Sequence, residues 1–189
     1  MRSSRAARAA ACAAALVLAG CASRGPQLPP VAASGLPASV ELESTPFFPQ
    51  QDYQCGPAAL ATVLVASGVQ VSPDDLVSEV YLPGRKGSLQ AELVAAARSR
   101  GRLPYVLPPS LDDLLAQLAA GHPVLVLQKT GAGPWPGWHY AVVIGYDASR
   151  DRLVLRSGAD SRLDMSASHF RATWDRADRW AMTALEPGQ

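Results

Sequence analysis

Helical periodicity dominates the hydrophobic pattern in the first half of the chain. The apolar run 57–66 begins with Pro57, which suits a first helical turn, and Gly68 follows it as a stop signal. Serines precede three later stretches, and a serine oxygen can cap the free N–H groups of a helix. The pattern predicts helices over residues 57–66, 73–80, 89–100 and 111–120, a Pro/Gly loop at 82–87 and a brief strand at 103–107.

Short, continuous apolar runs that are typical of buried β-strands take over in the second half. Residues 123–128 have the sequence PVLVLQ and residues 139–146 the sequence HYAVVIGY, separated by a loop rich in glycine, proline and tryptophan. Strands are predicted over residues 123–128, 139–146, 152–156 and 180–185, with a helix at 167–175. Helices followed by antiparallel strands predict an α+β fold, in which N-terminal helices pack on a C-terminal antiparallel sheet.

Residues 1–20 have the pattern of an export signal and not of a folded domain. Arginines at the start precede the small apolar run 9–19, which is too short to span a bilayer as a helix. The run ends in Leu18-Ala19-Gly20-Cys21, which resembles the signal box of bacterial lipoproteins; an ordinary secretory signal that ends near a cysteine is the alternative. The resemblance implies cleavage before Cys21, lipidation of its thiol and, since Ala22 follows, anchoring in the outer membrane facing the periplasm.

The next segment, residues 21–43, is rich in proline, alanine and serine and has no hydrophobic period. It predicts a flexible tether, and the folded domain is predicted to span residues 44–189. This length suits one domain with a sizeable core. Removal of residues 1–20 also changes the formal charge from +1 to about −2, which gives no argument for a nucleic-acid partner.

Cys55 becomes the only free thiol once Cys12 leaves with the signal and Cys21 carries lipid, so an intramolecular disulfide is excluded. A lone thiol in an oxidising compartment is either buried and inert or retained for its reactivity. Cys55 lies at a predicted loop-to-helix junction, where the helix dipole and free N–H groups would stabilise a thiolate and lower the thiol pKa. From the residues alone, a nucleophile and a buried core cysteine are equally supported.

His139 is the strongest candidate for the base that a thiol nucleophile needs. It opens the apolar strand predicted at 139–146, and a rigid strand end is a suitable mount for a catalytic side chain. His122 lies in a predicted helix-to-strand turn and His169 in a late polar helix, so both rank below it. The three histidines and the remaining thiol lack the spacing of a metal site, and the sequence has no glycine-rich phosphate loop.

Three segments carry a resemblance to a known family: Gln-x-x-x-x-Cys-Gly-Pro-Ala-Ala-Leu, Gly-x-Pro-Val-Leu-Val and Trp-His-Tyr-Ala-Val-Val-Ile-Gly-Tyr-Asp. Together they resemble the bacteriocin-processing cysteine peptidases, family 39 among cysteine peptidases, which are papain-like and cut after a double-glycine leader. The resemblance covers residues 47–185 and implies a papain-like fold, with Cys55 as nucleophile and His139 as base. It also implies that Gln50, which fits the family spacing better than Gln51, holds the oxyanion together with the Cys55 backbone N–H.

The third catalytic residue is where the sequence departs from that family. Members usually carry an aspartate at the end of the strand after the histidine strand, and Ser157 occupies roughly that place. A serine can accept a hydrogen bond from imidazole and hold its tautomer, but it cannot stabilise imidazolium by charge. Asp160 lies three residues further and is the alternative orienting residue, Asp164 is a weaker one, and Asp147 is more simply a turn residue.

Several side chains near these residues fit two interpretations. Trp135 and Trp138 flank the histidine, where exposed rings would line a substrate groove and buried rings would pin the loop. The pair Arg85-Lys86 and the segment Ser88-Leu89-Gln90 either line the cleft or form a solvated pair and a helix cap. The sequence favours the solvated pair and the cap.

The hypothesis that combines these features is a membrane-anchored cysteine peptidase or amide hydrolase of the bacterial cell envelope, with a peptide or protein substrate and no cofactor or metal. We expect no fused transporter core or ATPase, so a role in bacteriocin export does not carry over. A murein endopeptidase of the NlpC type is less favoured, because Gln54-Cys55-Gly56-Pro57 replaces its Asp-Cys-Ser/Gly signature. A non-catalytic peptide- or protein-binding module is the other alternative, which the missing aspartate favours and the retained Cys55 and His139 oppose.

Overall fold

The computed structural model describes residues 28–50, 54–131 and 137–188. The predicted signal peptide, Cys21, Gln51 and Trp135 lie outside the described residues. Within the described ranges the helices are α1 (Cys55–Ala66), α2 (Pro73–Val80), α3 (Gln90–Ser99), α4 (Leu111–Ala119) and α5 (Ala167–Trp174). The strands are β1 (Ser39–Glu41), β2 (Leu103–Val106), β3 (Val124–Thr130), β4 (Gly137–Asp147), β5 (Arg152–Ser157), β6 (Asp160–Ser166) and β7 (Ala181–Leu185).

The helices begin and end close to their predicted positions, but one predicted cap is wrong. Ser72 forms a reciprocal capping box with Asp75 at the start of α2, and Ser110 caps α4 as the sequence predicts. The prediction that Ser88 caps α3 fails, because Leu89 precedes the helix and no side chain caps it. Ser88 instead lines the cleft that contains Cys55.

The described strands form one antiparallel sheet in the order β2-β7-β3-β4-β5-β6, and β1 pairs with β4. β1 lies beside the far end of β4, where Val40 is opposite Tyr146. Gly145 permits this approach, because a Cβ atom there would lie 2.3 Å from the Val40 carbonyl oxygen. Helices and an antiparallel sheet confirm the predicted α+β class.

Two hydrophobic clusters cover the two faces of the sheet. Along β4, Val142 and Ile144 belong to the cluster that holds the buried residues of α1, α2 and α3. Ala141 and Val143 belong to the cluster that holds the buried residues of α4 and α5. Burial on both faces explains why this strand is continuously apolar instead of alternating. It also fixes β4 as the rigid centre from which His139 projects.

The folded domain begins earlier than residue 44. Leu28 and Val31 are buried in the cluster on the α4 and α5 face, and a 3₁₀ turn at Val31–Ser34 leads to β1. The prediction of a flexible tether is therefore wrong for residues 28–43. The few apolar residues of this segment are spaced too widely to give a helical or strand period, although the tertiary structure buries them.

β6 was also missed by the hydrophobic pattern. Its sequence DSRLDMS is polar because β6 is the outer strand of the sheet and is partly or fully exposed along its length. The β5–β6 hairpin nevertheless matters for the site, because Ser157 ends β5 and Gly158 in the turn lines the cleft.

Candidate active site

Cys55, His139 and Gln50 line one cleft of about 700 Å³. Cys55 is the first residue of α1, and His139 lies near the start of β4. The cleft therefore lies where the N-terminus of α1 meets the start of β4. The structure brings together the nucleophile, the base and the glutamine that the sequence indicates.

The backbone around Cys55 provides hydrogen-bond donors to the sulfur. Helix α1 is buried from Gly56 to Leu64, which fixes its N-terminus in the domain. Gln54 precedes the helix without a side-chain cap, so side chains do not occupy the free N–H groups of the first turn. Hydrogen bonds from the backbone of Tyr140, Gly56 and Cys55 itself favour the ionised sulfur.

Ser157 orients the candidate base. Its Oγ lies 2.9 Å from Nε2 of His139, and this contact leaves Nδ1 as the ring nitrogen that is available to the thiol or to a substrate. Ser157 is the last residue of β5, which pairs with β4, so two adjacent strands hold both partners of the hydrogen bond. Of the two orienting residues that the sequence left open, the structure selects Ser157.

The alternative orienting residues lie elsewhere. Asp160 begins the outer strand β6, where pairing with β5 holds it with an exposed side chain and without a hydrogen bond to His139. In this structure Ser157, and not Asp160, lies at hydrogen-bond distance from His139. The Asp164 carboxylate accepts a hydrogen bond from Arg162 at 2.8 Å, and Asp147 accepts hydrogen bonds within its own turn.

The other two histidines are outside the cleft. His122 lies in the turn before β3, and Nδ1 of its ring is 3.1 Å from the Gln117 side-chain oxygen. His169 is exposed in the first turn of α5, where its backbone N–H donates to the Ser166 hydroxyl. Both positions agree with the lower rank that the sequence gave them.

Gln50 is held at the cleft by two hydrogen bonds. Its Nε2 donates to the Tyr140 carbonyl oxygen at 3.1 Å, and its backbone N–H donates to the Gly158 carbonyl oxygen at 3.0 Å. A side-chain amide has two N–H hydrogens, so one remains for a substrate oxygen. This arrangement fits the oxyanion role that the resemblance implies for Gln50.

Burial shifts the pKa values of the thiol and of the imidazole in the directions that favour their uncharged forms. Burial raises the pKa of the Cys55 thiol, and the backbone hydrogen bonds lower it by less. Burial also lowers the pKa of the His139 imidazole. The prediction that the helix terminus lowers the thiol pKa is wrong for this site, because loss of water outweighs the donors of α1. Each shift in pKa favours the uncharged form of its own group.

Ser88 packs directly against the residue that follows the nucleophile. A Cβ atom at Gly56 would lie 2.2 Å from Ser88 Oγ and 2.6 Å from its Cβ, so only glycine fits there. The Ser88 hydroxyl is buried without a hydrogen-bond partner among the described residues, and its carbonyl oxygen accepts from the Tyr140 hydroxyl at 3.3 Å. Ser88 thus forms part of the cleft wall. The sequence pattern had predicted a helix cap at this position instead.

Exposed side chains also line the cleft. Arg85 and Lys86 are solvent-exposed, as the favoured interpretation of a solvated pair predicts, and they line the cleft as well. Trp138 also lines it with 56 % of its surface exposed, and the Lys129 ammonium lies 5.1 Å from the centre of its ring. The groove interpretation is therefore the correct one for Trp138.

Neither a metal-binding cluster nor a membrane-spanning helix occurs among the described residues. Residues 28–50, 54–131 and 137–188 contain no cluster of three or more His, Cys, Asp or Glu side chains that could bind a metal ion. In the same ranges, no helix combines the length and apolar character that crossing a bilayer requires.

Comparison with solved structures finds the same fold. A C39-like peptidase from Bacillus anthracis shares 18% identity and a TM-score of 0.64, over 80% of this chain and 99% of that one. The peptidase domain of Streptococcus ComA, a bifunctional ABC transporter involved in quorum sensing, shares 23% identity and a TM-score of 0.58, over 75% and 98%. Xylellain, a cysteine protease from Xylella fastidiosa, shares 13% identity and a TM-score of 0.57, over 84% and 89%.

Comparison with curated protein sequences gave no match. The family comparison is more specific than the shared fold, because the match covers residues 42–182 and includes Cys55, His139, Ser157 and Gln50. With a papain-like α+β fold and one cleft lined by a thiol and an imidazole, the chain belongs to the Peptidase_C39 like family and is a cysteine peptidase.

Proposed function

We propose that this chain is a lipid-anchored cysteine peptidase of the bacterial cell envelope, which cleaves a peptide or amide bond in an envelope protein. The observation that carries the proposal is the placement of Cys55, at the N-terminus of α1, in the same cleft as His139, whose Nε2 lies 2.9 Å from the Ser157 hydroxyl. A nucleophile, a base and an orienting residue in one cleft are the components of acyl transfer through a thioester.

The first half of the reaction uses the Cys55 thiol and the His139 imidazole. The Cys55 sulfur attacks the carbonyl carbon of the scissile bond while its proton passes to Nδ1 of His139. The negative charge that forms on the carbonyl oxygen is stabilised by the free N–H of the Gln50 amide and the backbone N–H of Cys55. His139 then gives the proton to the leaving amine, the C–N bond breaks, and a thioester to Cys55 remains.

The second half releases the acyl group. A water molecule loses a proton to His139 and attacks the thioester carbonyl, and the same donors hold the oxyanion. The C–S bond breaks, the sulfur recovers the proton from His139, and a carboxylic acid leaves the cleft. Ser157 keeps the ring in place throughout, but it adds no negative charge to stabilise imidazolium.

The envelope location rests on the Leu18-Ala19-Gly20-Cys21 box. Because the folded domain extends back to Leu28, only the six residues 22–27 separate the proposed lipidated cysteine from it. The seven steps from one Cα atom to the next between Cys21 and Leu28 reach at most about 25 Å when fully extended. The proposed enzyme therefore acts close to the membrane surface, on substrates that are membrane-bound or that diffuse to it.

A non-catalytic binding module remains the second candidate. It is favoured by the raised pKa of the thiol, by the lowered pKa of the imidazole and by a serine where related enzymes place a carboxylate. Such a module would use the same cleft to hold a peptide without cleaving it.

The deciding experiment compares new protein N-termini in envelope extracts. The full-length lipoprotein, purified in detergent, is incubated with extract and compared with Cys55→Ser and His139→Ala variants, and the termini are identified by mass spectrometry. The peptidase proposal expects termini that appear only with a wild-type site, and a His122→Ala control should produce the same termini. Identical sets of termini from wild type and Cys55→Ser would instead favour the binding module.

A further inference from the structure

Tyr140, the residue after the candidate base, makes backbone contacts with two other groups of the site. It lies on β4, lines the cleft and is 3% exposed. Its backbone N–H donates to the Cys55 sulfur, and its carbonyl oxygen accepts from Gln50 Nε2 at 3.1 Å. One backbone edge of β4 therefore holds both the nucleophile and the glutamine proposed for the oxyanion.

The end of strand pairing explains why this edge of β4 faces the cleft. On one side of β4, β3 pairs along the whole segment, and Leu127 lies opposite Tyr140. On the other side, β5 pairs with β4 from Val142 onward, where Val142 lies opposite Arg156. The N–H and the carbonyl of one residue point to the same side of an antiparallel strand. The sheet therefore fixes the Tyr140 backbone, while its polar groups reach the nucleophile and the glutamine.

The Tyr140 side chain connects β4 to the opposite wall of the cleft. Its hydroxyl donates to the Ser88 carbonyl oxygen at 3.3 Å. Ser88 in turn packs over Gly56, because a Cβ atom at Gly56 would lie 2.2 Å from Ser88 Oγ. Gly56 follows Cys55 in the chain, and the Cys55 sulfur accepts from the Tyr140 N–H. These contacts close a ring around the nucleophile, and the Tyr140 hydroxyl is one of its links.

The surroundings of the Tyr140 ring hold this hydroxyl in place as a donor. The ring packs in the cluster on the α1 face, edge-on to Trp180 with 5.9 Å between the ring centres. Burial raises the pKa of the Tyr140 phenol, and the charges of Cys55 and Glu92 raise it further. The protonated phenol, which is the form that donates to Ser88, is therefore favoured.

We propose that Tyr140 is a positioning residue, whose hydroxyl bond to Ser88 holds β4 where its backbone reaches the Cys55 sulfur and orients Gln50. A donor to the sulfur stabilises the thiolate as the proton leaves. The consequence for cleavage rests on the proposed peptidase function, whereas the consequence for the thiol does not. A single neutral hydrogen bond accounts for an effect of about threefold.

Alkylation of Cys55 by iodoacetamide measures the effect on the thiol directly. The full-length lipoprotein in detergent is compared with its Tyr140→Phe variant between pH 7 and 9. We expect the variant to react about threefold more slowly at each pH with the same slope, because a weaker donor to the sulfur moves the profile to higher pH. A loss of packing alone would expose the buried thiol and accelerate the reaction, so the direction of the change separates the two causes.

Two further substitutions assign the change to the hydroxyl. Tyr146→Phe is the matched control, since it removes a tyrosine hydroxyl on the same strand that donates to the Pro37 carbonyl outside the cleft, and it should react like wild type. At position 140, 4-aminophenylalanine keeps a donor and should restore the rate to within about twofold of wild type. In contrast, 4-methylphenylalanine fills the same space without a donor and should remain slow. This pair also provides the comparison if urea denaturation shows that Tyr140→Phe does not fold.

Cleavage in envelope extract separates this inference from the peptidase proposal. New termini should appear at least about threefold more slowly with Tyr140→Phe than with wild type, and at the wild-type rate with Tyr146→Phe. Slower alkylation without any cleavage that depends on Cys55 would refute the peptidase and retain the positioning role. Alkylation of Tyr140→Phe at the wild-type rate or faster, equal slowing by Tyr146→Phe, or no recovery with 4-aminophenylalanine would overturn the inference.

Discussion

Single side chains determine the ionisation of the site. The Ser157 hydroxyl fixes the His139 ring without adding negative charge, and burial lowers the pKa of the imidazole and raises that of the Cys55 thiol. The thiolate, which is the reactive form, becomes more abundant as the pH rises towards the raised pKa of Cys55. We expect alkylation of Cys55 by iodoacetamide to accelerate about tenfold per pH unit between pH 7 and 9, with no plateau below pH 7.

The substitution Ser157→Asp tests the Cys55–His139 pair by placing a carboxylate, in place of a hydroxyl, next to the imidazole. A carboxylate beside the imidazole favours its protonated form and so raises the pKa of His139, which in turn stabilises a thiolate on Cys55. The variant should show an alkylation plateau below pH 7, and its peptide cleavage should increase on the order of tenfold. Ser157→Asn, which can accept a hydrogen bond without charge, should follow the wild-type profile. A plateau already present in wild type would contradict this description of the site.

Contacts between elements shape the cleft. The contact between α1 and the loop before α3 can be tested by a substitution at Gly56. Alanine there would place a Cβ 2.2 Å from Ser88 Oγ and 2.6 Å from Ser88 Cβ, so rotation of the hydroxyl alone does not relieve the overlap. We expect Gly56→Ala to lower the free energy of unfolding by about 1–3 kcal/mol, measured by urea denaturation, and to reduce cleavage.

Two further variants show whether Ser88 causes that loss. Adding Ser88→Gly to Gly56→Ala removes both clashing atoms and should recover most of the stability. Gly84→Ala, in the same loop region with no atom within 4 Å of the new Cβ, should change stability by less than about 0.5 kcal/mol. If the double variant is no more stable than Gly56→Ala, the contact with Ser88 is not the cause.

The local sequence was sufficient to predict those features that depend only on residues close together in the chain. The apolar runs predicted β3 and β4, and short motifs predicted Cys55, His139 and Gln50, because those features depend on neighbours in the chain. Ser157 and Asp160 could not be separated in this way, since only the pairing of β4 with β5 brings Ser157 to the imidazole. Burial of the thiol, which reverses the pKa expected from the helix terminus, is likewise a property of the assembled cleft.

At the scale of the whole molecule, residues 28–43 pack on the domain, although their composition predicted a flexible tether. Leu28 and Val31 are buried, and the Tyr146 hydroxyl donates to the Pro37 carbonyl oxygen at 2.8 Å. A chain that begins at residue 44 would expose apolar surface and leave that hydroxyl without its partner. We expect its free energy of unfolding to be lower by about 3 kcal/mol or more than that of a chain that begins at residue 28, measured by urea denaturation.

A point substitution tests whether the packing of residues 28–43, and not the length of the chain, causes this loss of stability. Val31→Ala removes buried methyl groups and should cost about 1–2 kcal/mol, because each buried methyl group contributes close to 1 kcal/mol. Val106→Ala is the matched control, since that side chain is 45% exposed on β2 and its truncation should cost less than about 0.5 kcal/mol. If both substitutions and the truncation leave stability unchanged, residues 28–43 are a tether after all, and the proposed enzyme can reach further from the membrane than about 25 Å.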